Sequence, residues 1–317
     1  MSDTPASPFA RGHYLVAWSA DLAPGQVMPL RCFARDHVLY RGEDGAPVLL
    51  DAHCPHLGAH LGYGGKVRGD AIECPFHAWR FGPDGRCRSI PYASKIPSRA
   101  EVRSHRVVEH SGMILAWYAP DGAQPDYEVP RVPELSDPAW TPLACSQIEI
   151  ATQAREVIEN VADLAHFYPV HRTKMDAFEV IIDGPRATQR TAGTGRNLKG
   201  EKIPVTSEAT YHGPAVQLTR LAWAFPMVLI NSHVPIDEER LLIRFAVSLR
   251  AGAGLTLPPA VIEAHVASAR DGYFQDVAIW EHKLWRDRPL LADGDGPIMR
   301  VRRWYASFFA RAPEAAE

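Results

Sequence analysis

Residues 54–79 read CPHLGAHLGYGGKVRGDAIECPFHAW and contain two cysteines that are each followed within three positions by a histidine. Cys54 precedes His56, and Cys74 precedes His77. Both pairs lie in turns rich in glycine and proline between short apolar runs, so two such turns that face each other would present two thiolates and two imidazoles. The fold of this part of the chain therefore has to bring two loops together around one site.

Three kinds of site use this set of side chains. A structural zinc ion accepts two cysteines and two histidines, although the common zinc finger pairs like with like before a helix. A disulfide between Cys54 and Cys74 is the second alternative, but five scattered cysteines in a long chain favour reduced thiols. One cysteine and one histidine from each loop favour a Rieske [2Fe-2S] cluster. We expect His53 and His60, which break the Cys-His register, to be surface or packing residues.

The first 120 residues have the rhythm of a small antiparallel β domain, because short apolar runs alternate with turn sequences such as GEDG and GPDG. Residues 120–145 contain six prolines, which predicts an extended connector. Further along, β-type runs at 215–233 and 240–249 are followed by a long helical pattern that starts after Pro258-Pro259. We therefore predict an α+β chain with domains at residues 13–130 and 131–317.

The sequence ENVADLAHFYPVH suggests a second metal site. Asp163 and His166 are three residues apart on one face of a helix predicted over 151–168, and Pro169 ends the pattern. The chain that leaves this helix can fold His171 back towards His166. Two histidines and one carboxylate on one face of Fe(II) leave positions open for O2 and water, as in non-haem oxygenases. A di-iron bundle is excluded, because no second E-x-x-H motif completes its ligand set.

The segment CPHLGAHLGYGGKVRGDAIECPFHAWRFGPDGRCRSIPYA resembles the Rieske domain of non-haem iron oxygenases, in particular that of the 3-ketosteroid 9α-hydroxylase oxygenase component and its sterol-acting relatives. The resemblance implies that Cys54 and Cys74 hold one iron of the cluster, and that His56 and His77 hold the other. It also implies a helix-grip-like catalytic domain with a curved antiparallel sheet and one mononuclear iron. The loops would be shaped by Pro55, Gly58, Pro75 and Trp79.

In the family pattern D-x-x-H-x-x-x-x-H, the two histidines bind the mononuclear iron and the third ligand is an aspartate from a later helix. The segment YFQDVAIWEHKLW offers Asp276 at the matching place, with Glu281 and Asp271 as weaker rivals. Asp276 has apolar neighbours on its helix, where a bare carboxylate is costly unless it is paired or binds a metal. The resemblance therefore implies His166, His171 and Asp276 as iron ligands.

The leading aspartate of the pattern, Asp163, has another role in this family. It bridges the cluster ligand His77 of one subunit and the iron ligand His166 of its neighbour, which provides a path for electrons. Such a bridge implies a head-to-tail ring, a homotrimer. Asn160 follows the family's E-N pattern and either supports the iron ligands or packs within the helix.

The resemblance continues to the C-terminal segment IWEHKLWRDRPLLADGDGPIMRVRRWYASFF, so it covers nearly the whole chain. The segment between the histidine pair and Asp276, which builds the substrate pocket, is shorter than we expect for the 3-ketosteroid enzymes. An alternating apolar run within it either lines that pocket or packs as a sheet face on the long helix: Trp223, Phe225, Met227, Leu229, Asn231 and His233.

The resemblance implies the oxygenase component of a Rieske-type monooxygenase. It would take electrons from NAD(P)H through a ferredoxin or flavin-dependent reductase and use O2 to hydroxylate, desaturate or demethylate an apolar, steroid or sterol-like substrate. Other activities on the same scaffold are O- or N-demethylation of an aromatic compound and hydroxylation of a natural product. Outside the enzymes, a Rieske electron-transfer protein is the alternative.

Bulk composition narrows the range of partners. The net charge of -3 leaves no basic excess, so we do not expect nucleic acid as a partner. No stretch approaches the roughly 20 apolar residues that span a bilayer, and the opening residues MSDTPASPFARG lack an apolar core and a twin-arginine pair. We expect a soluble, cytoplasmic protein without a membrane span.

Overall fold

The computed structural model describes residues 7–251 and 258–309, which divide into two compact units. The N-terminal unit comprises residues 14–118 and 236–238, and the C-terminal unit comprises the rest of the described chain. Residues 1–6 at the start of the chain, and 310–317 at the end of the second predicted domain, lie outside the described residues. The proline-rich connector has a 3-10 turn at Pro133–Ser136 and no strand between residues 118 and 144.

The N-terminal unit is built from short strands, as the alternation of apolar runs and turns predicts. Three sheets have the strand orders β1-β11-β10, β2-β3-β4-β9 and β5-β6-β7-β8. The strands are β1 Gly12–Trp18, β2 Val27–Cys32, β3 Arg35–Arg41, β4 Pro47–Asp51, β5 Lys66–Arg68, β6 Ala71–Glu73, β7 Arg80–Phe81, β8 Cys87–Ser89, β9 Ser104–His105, β10 Val107–His110 and β11 Met113–Tyr118.

Strands β3 and β4 are buried on both faces, which explains their continuous apolar runs. Side chains of consecutive residues in a strand point to opposite faces. Leu39 and Leu49 accordingly join one hydrophobic cluster, whereas their neighbours Val38 and Leu50 join another. The second cluster also contains Cys54 and other residues of the two Cys-His loops. The loops are therefore anchored directly in the core of this unit.

The C-terminal unit contains one antiparallel sheet of seven strands in the order β12-β18-β17-β16-β15-β14-β13. Its elements are β12 Ala144–Ile150, α1 Ala154–Ile158, β13 Lys174–Asp183, β14 Arg186–Arg196, β15 Lys202–His212, β16 Val216–Ala222, β17 Pro226–Pro235, β18 Leu241–Leu249, α2 Pro259–Phe274, α3 Val277–Trp280 and α4 Ile298–Ala306. The predicted α+β class, with a β domain followed by a sheet-and-helix domain, is confirmed. Among the described residues, every helix is too short or too polar to cross a bilayer.

The two long helices predicted from periodicity are both interrupted. Helix α1 ends at Ile158, and 3-10 turns follow at Glu159–Val161 and Ala165–Phe167. The Asp163 carboxylate accepts a hydrogen bond from the backbone N–H of His166 at 3.3 Å, so a local side-chain acceptor replaces a helical carbonyl there. The later helix breaks at residues 275–276, between α2 and α3. The candidate ligand Asp276 lies in this break.

Candidate functional site

The two Cys-His turns have the same backbone structure. The backbone N–H of Cys54 donates to the carbonyl of Ala59 at 2.9 Å, and the N–H of Cys74 donates to the carbonyl of Trp79 at 2.8 Å. Each bond joins a cysteine to the residue five positions later. The two segments CPHLGA and CPFHAW therefore close into equivalent loops, although the histidine occupies a different position in each.

A second bond in each loop goes back to the cysteine carbonyl. The N–H of Gly58 donates to Cys54 at 2.9 Å, and the N–H of Ala78 donates to Cys74 at 3.1 Å. Both donors have left-handed backbones, with φ of 77° at Gly58 and 58° at Ala78. Glycine adopts this conformation freely, whereas alanine does so at an energetic cost. The second loop therefore holds strain that the first avoids.

The sulfur atoms of the two loops lie next to each other in the core. Cys54 and Cys74 are each 2% exposed, and neither forms a disulfide. Burial, with smaller contributions from Cys74, raises the pKa of the Cys54 thiol to about 11. Two adjacent buried thiols ionise readily only beside a cation, so this pair fits a metal cluster better than a disulfide or an empty core.

The two histidines complete the donor set. The ring centroids of His56 and His77 lie 4.5 Å apart, with an angle of 74° between the ring planes. The Nδ1 atom of His77 is buried and has no hydrogen-bond partner among the described residues. Trp79 stacks on His56 at 4.7 Å, and its indole N–H donates to the Tyr92 hydroxyl at 2.8 Å. A buried nitrogen without a partner beside two thiols is what a Rieske cluster would satisfy.

The two histidines that break the register make other contacts. The ring of His53 lies 3.2 Å from the Gly58 carbonyl and 3.4 Å from the Asp36 carboxylate. His60 Nδ1 accepts a hydrogen bond from the backbone N–H of Gly62 at 3.0 Å. The partners of both rings in these contacts are backbone groups and Asp36, not the two thiols, as expected for surface or packing residues.

In the C-terminal unit, His166, His171 and Asp276 form a second cluster, and one potential ligand atom from each lies within 4.8 Å of the others. His171 Nε2 lies 3.4 Å from Asp276 Oδ2. The ring centroids of His166 and His171 lie 5.1 Å apart, with an angle of 80° between the ring planes. The backbone N–H of His171 donates to the Phe167 carbonyl at 3.2 Å, which folds the chain back as expected. Arg172 then turns the chain into β13 with a left-handed φ of 56°.

The rival carboxylates are engaged elsewhere. Glu281 accepts a hydrogen bond from the backbone N–H of Ala151 at 3.0 Å, and Asp271 pairs with Arg270 at 2.8 Å. Both are exposed, whereas Asp276 is 5% exposed. Asp276 is therefore the carboxylate that the fold brings to the histidine pair.

Neighbouring side chains hold Asp276 and His171 in position. The Asn160 amide donates to Asp276 Oδ2 at 3.0 Å, and it accepts a bond from the Trp280 indole at 3.4 Å. The ring of His171 donates from Nδ1 to the Gln275 side-chain oxygen at 3.0 Å, which leaves Nε2 available as a ligand. Burial lowers the pKa of His171, but the hydrogen bonds to Asp276 and Gln275 and the charge of Asp276 together outweigh burial and raise the pKa above its usual value.

Asp163 lies on the other side of His166. Its Oδ2 atom is 3.6 Å from His166 Nδ1, and its side chain is 38% exposed. Burial works to raise the pKa of Asp163, but the nearby His166 ring and the backbone N–H groups of Ala165 and His166 together outweigh burial and lower the pKa. The carboxylate is thus ionised, within reach of the imidazole and partly open to solvent.

Two contributors were missed in the sequence. Gln275 carried no signal beyond its place before Asp276. Gly296, in the DGDGPI segment, approaches the chain so closely that a Cβ there would lie 1.7 Å from the Ala162 carbonyl oxygen. A glycine in a segment of polar turn residues looks like a simple turn former, so only the folded chain reveals this contact.

The alternating run on β17 packs mainly as a sheet face. Met227 and Leu229 belong to a hydrophobic cluster with residues of α2. Asn231 donates to Gln217 at 2.9 Å, and His233 donates to the Pro214 carbonyl at 2.8 Å. Trp223, at the start of the run, packs against the same cluster and also lines a concave site of about 490 Å³, together with Asn197, Ile203, Pro204, Thr206, Ala222 and Ala224.

Comparisons with known proteins agree with this description. The model of the Rieske [2Fe-2S] domain matches residues 12–103, and that of the 3-ketosteroid 9alpha-hydroxylase C-terminal domain matches residues 116–309. A probable 3-ketosteroid-9-alpha-monooxygenase oxygenase component from Rhodococcus rhodochrous is 35% identical over 96% of this chain and 81% of its own length. The cholesterol 7-desaturase of Xenopus laevis is 31% identical over 95% of this chain and 72% of its own length.

Solved structures share the fold. Dicamba monooxygenase bound to dicamba has a TM-score of 0.79 at 21% identity, over 94% of this chain and 96% of its own. Pseudomonas putida CBB5 NdmA has a TM-score of 0.74 at 17% identity, over 96% of this chain and 97% of its own. At such identities the likeness concerns the arrangement of the chain alone.

Proposed function

Because the chain belongs to the family of 3-ketosteroid 9alpha-hydroxylase oxygenase components, we propose that it oxidises an apolar, steroid or sterol-like substrate with O2. As a Rieske oxygenase it carries a [2Fe-2S] cluster and a mononuclear iron, and it works with a separate reductase or ferredoxin that supplies electrons from NAD(P)H. The proposal depends mainly on one observation: the potential ligand atoms of His166, His171 and Asp276 lie close together, as in a mononuclear iron site. A Rieske electron-transfer protein needs no such second metal site.

We assign the cluster to Cys54 and Cys74 on one iron and to His56 and His77 on the other. The two equivalent loops and the buried, unpartnered Nδ1 of His77 support this assignment. The mononuclear Fe(II) takes His166, His171 and Asp276. Removal of His166 or Asp276 by alanine should therefore lower iron content by about one equivalent while the Rieske EPR signal persists.

The protein's own contribution to the reaction is to hold and orient groups. When bound, the mononuclear iron activates O2 with electrons relayed from the cluster. Gln275 fixes the tautomer of His171, and the Asn160 amide orients the Asp276 carboxylate. The Asp163 carboxylate lies 3.6 Å from His166 Nδ1, a buried atom with no hydrogen-bond partner among the described residues, and its charge favours a proton on Nδ1, which would leave Nε2 of His166 to bind metal.

Asp163 also has a role between subunits in this proposal. We propose a homotrimer in which Asp163 of one subunit bonds to His77 of the next, so that electrons pass from the cluster to the neighbouring iron. The partial exposure of Asp163 supports this, as does the exposed apolar rim of the cluster loops, with Leu57 65% and Phe76 61% exposed. Asp163→Asn should leave both metal centres loaded but slow iron reduction by about 10–100-fold. Sedimentation analysis tests the trimer itself.

One buried hydroxyl group supports the proposal that the substrate is apolar and carries a few polar groups. The Tyr273 hydroxyl is buried and has no hydrogen-bond partner among the described residues, and Phe245 and Phe274 surround its ring. A keto or hydroxyl oxygen of a sterol would satisfy this donor. Tyr273→Phe should therefore raise KM about 10-fold for such a substrate with little change in kcat.

Turnover with a panel of compounds tests the function. The purified protein, a compatible reductase, NADH and O2 are incubated with 3-ketosteroids, sterols and methoxyaromatics, and products are identified by mass spectrometry. The proposal requires a hydroxylated or desaturated steroid that is absent from the Asp276→Ala control. Product from methoxyaromatics alone would replace the steroid substrate by the demethylase alternative.

A further inference from the structure

A third group of metal-ligating side chains lies in the N-terminal unit, apart from both iron sites. His37, Asp51 and His105 each offer a ligand atom, and these atoms lie within 4.8 Å of one another. None of these residues belongs to the proposed ligands of the cluster or of the mononuclear iron. The proposed function therefore leaves this group unexplained.

Three adjacent strands build the group. His37 on β3 is the direct cross-strand partner of Asp51 on β4. His105 on β9 pairs with Leu49, which lies two positions before Asp51 and so points to the same face of the sheet. The alternation of side chains thus directs all three residues to one face. Sites carried by strands hold their ligands more rigidly than sites on loops.

The tautomer of His37 leaves a lone pair facing a carboxylate. Its Nδ1 atom lies 3.2 Å from the Arg35 carbonyl oxygen and 3.5 Å from Cys32 Sγ, so the ring proton belongs on Nδ1. Its Nε2 atom then faces Asp51 Oδ1 at 3.8 Å as a second acceptor. His37 is 3% exposed and the Asp51 side chain is 33% exposed, so the pair is only partly open to water. A cation between two acceptors that face each other would satisfy both.

The spacing suits a small divalent ion. Zinc binds imidazole nitrogen and carboxylate oxygen at about 2.0–2.2 Å, which places two ligand atoms about 3.3 Å apart in a tetrahedral site. The observed distances from Asp51 Oδ1 lie on either side of this value, at 2.7 Å to His105 Nε2 and 3.8 Å to His37 Nε2. An exchange of the His105–Asp51 hydrogen bond for two metal bonds therefore needs only small side-chain movements.

We propose that His37, Asp51 and His105 bind a divalent transition-metal ion, with Zn²⁺ as the preferred ion. Two imidazoles and one carboxylate from the protein suit zinc, and water completes the tetrahedron. The Asp51 side chain is 33% exposed, which gives the ion a route from solvent. The ion would join β3, β4 and β9, and Asp51 ends β4 three residues before Cys54. It would therefore brace the strand that leads into the first cluster loop.

Zinc binding to the iron-loaded protein tests the proposal. Zinc, iron and sulfide are counted by elemental analysis after incubation with micromolar ZnCl2 and gel filtration, and affinity is measured by isothermal titration calorimetry. We expect about one zinc per chain without loss of iron. Asp51→Asn and His105→Gln should each weaken zinc binding at least about 10-fold, and the Rieske EPR signal of each variant reports that the unit is folded.

Two control variants separate this site from the others. His171→Ala disables the proposed iron site and should retain zinc binding, and so should His282→Ala, which removes an exposed histidine. The proposal is overturned if the wild-type protein binds no zinc at micromolar concentration. It is equally overturned if zinc binds only as iron leaves, or if Asp51→Asn and His105→Gln keep wild-type affinity.

Discussion

Replacement of Gly296 by alanine should disturb the mononuclear iron site from a distant part of the chain. A Cβ at this position would lie 1.7 Å from the carbonyl oxygen of Ala162 and 2.9 Å from its carbonyl carbon. Ala162 is fully buried, packs in one cluster with Ile158 and Trp304, and directly precedes Asp163. The added methyl group therefore has to displace the backbone of the segment that leads to His166.

The size of the effect follows from the geometry. Cβ contacts below 3.0 Å essentially never occur, so one backbone must move by at least about 1.3 Å. Overpacking of a core costs about 1–3 kcal/mol. A misplacement of about 1 Å at a reacting centre costs about 100-fold in rate, and disturbed support of metal ligands costs about 10–100-fold in affinity. We therefore expect Gly296→Ala to lower the free energy of unfolding by about 1–3 kcal/mol. Turnover should fall by about 100-fold, and iron affinity by about 10–100-fold.

Three measurements and a matched variant test this reasoning. Urea unfolding gives the stability, retention of iron against a chelator gives the affinity, and the Rieske EPR signal shows whether the other unit is intact. Gly272→Ala is the control, because a Cβ at Gly272 in α2 meets nothing within 4 Å and alanine favours the helix. A Gly296→Ala protein that keeps wild-type iron affinity and turnover would refute the argument.

Three further predictions concern the supports of the two iron sites and the core. Asn160→Leu removes the N–H that donates to Asp276 Oδ2, so we expect about 10-fold weaker iron retention in chelator dialysis and an unchanged cluster signal. Ala78→Gly relieves the left-handed φ of 58° and should raise the cluster's half-life on heating, whereas Ala78→Val should cost at least about 1 kcal/mol in urea unfolding. Burial lowers the pKa of His233 to about 4, and the ring donates to the Pro214 carbonyl. Because the unfolded histidine titrates near 6.5, its contribution is full above that pH, and the free energy of unfolding should fall by about 3 kcal/mol between pH 7 and 4. His233→Gln should flatten that part of the pH profile; an unchanged slope would contradict the assignment.

The cluster loops were the part most accessible from the sequence, because all four donors lie within 24 residues and their turn residues are local. The equivalence of the two loops is visible in the sequence only once the bonds from Cys54 and Cys74 are known. The left-handed Ala78 could not be predicted, since alanine has no preference for that conformation. Local chemistry thus predicts the donors but not the strain with which the second loop holds them.

The proposed iron site is less accessible from the sequence, because its supports come from distant parts of the chain. Asp276 is ranked above Glu281 by its apolar neighbours, and the fold brings Asp276 to the histidines. The sequence leaves two roles open for Asn160, and in the structure its amide donates to the Asp276 carboxylate, 116 residues further along the chain. Periodicity reports which face of a helix is buried, and it carries no information about which distant side chain completes a hydrogen bond.

The two helix interruptions at the proposed iron site differ in their hydrogen bonding, and each lies beside a proposed ligand. In an unbroken helix each backbone group is used within the helix, and side chains follow a fixed angular step. At the first interruption, the Asp163 carboxylate accepts the N–H of His166 in place of a helical carbonyl. At the second, Gln275 and Asp276 keep helical backbone angles, and the Asp276 carbonyl accepts the N–H groups of Ile279 and Trp280 at 2.9 Å. The first interruption therefore takes His166 off the α-helical step, whereas Asp276 nearly keeps it. Both interruptions are invisible to a periodicity argument, which averages over several turns, so the sequence predicts two continuous helices where the structure has shorter segments.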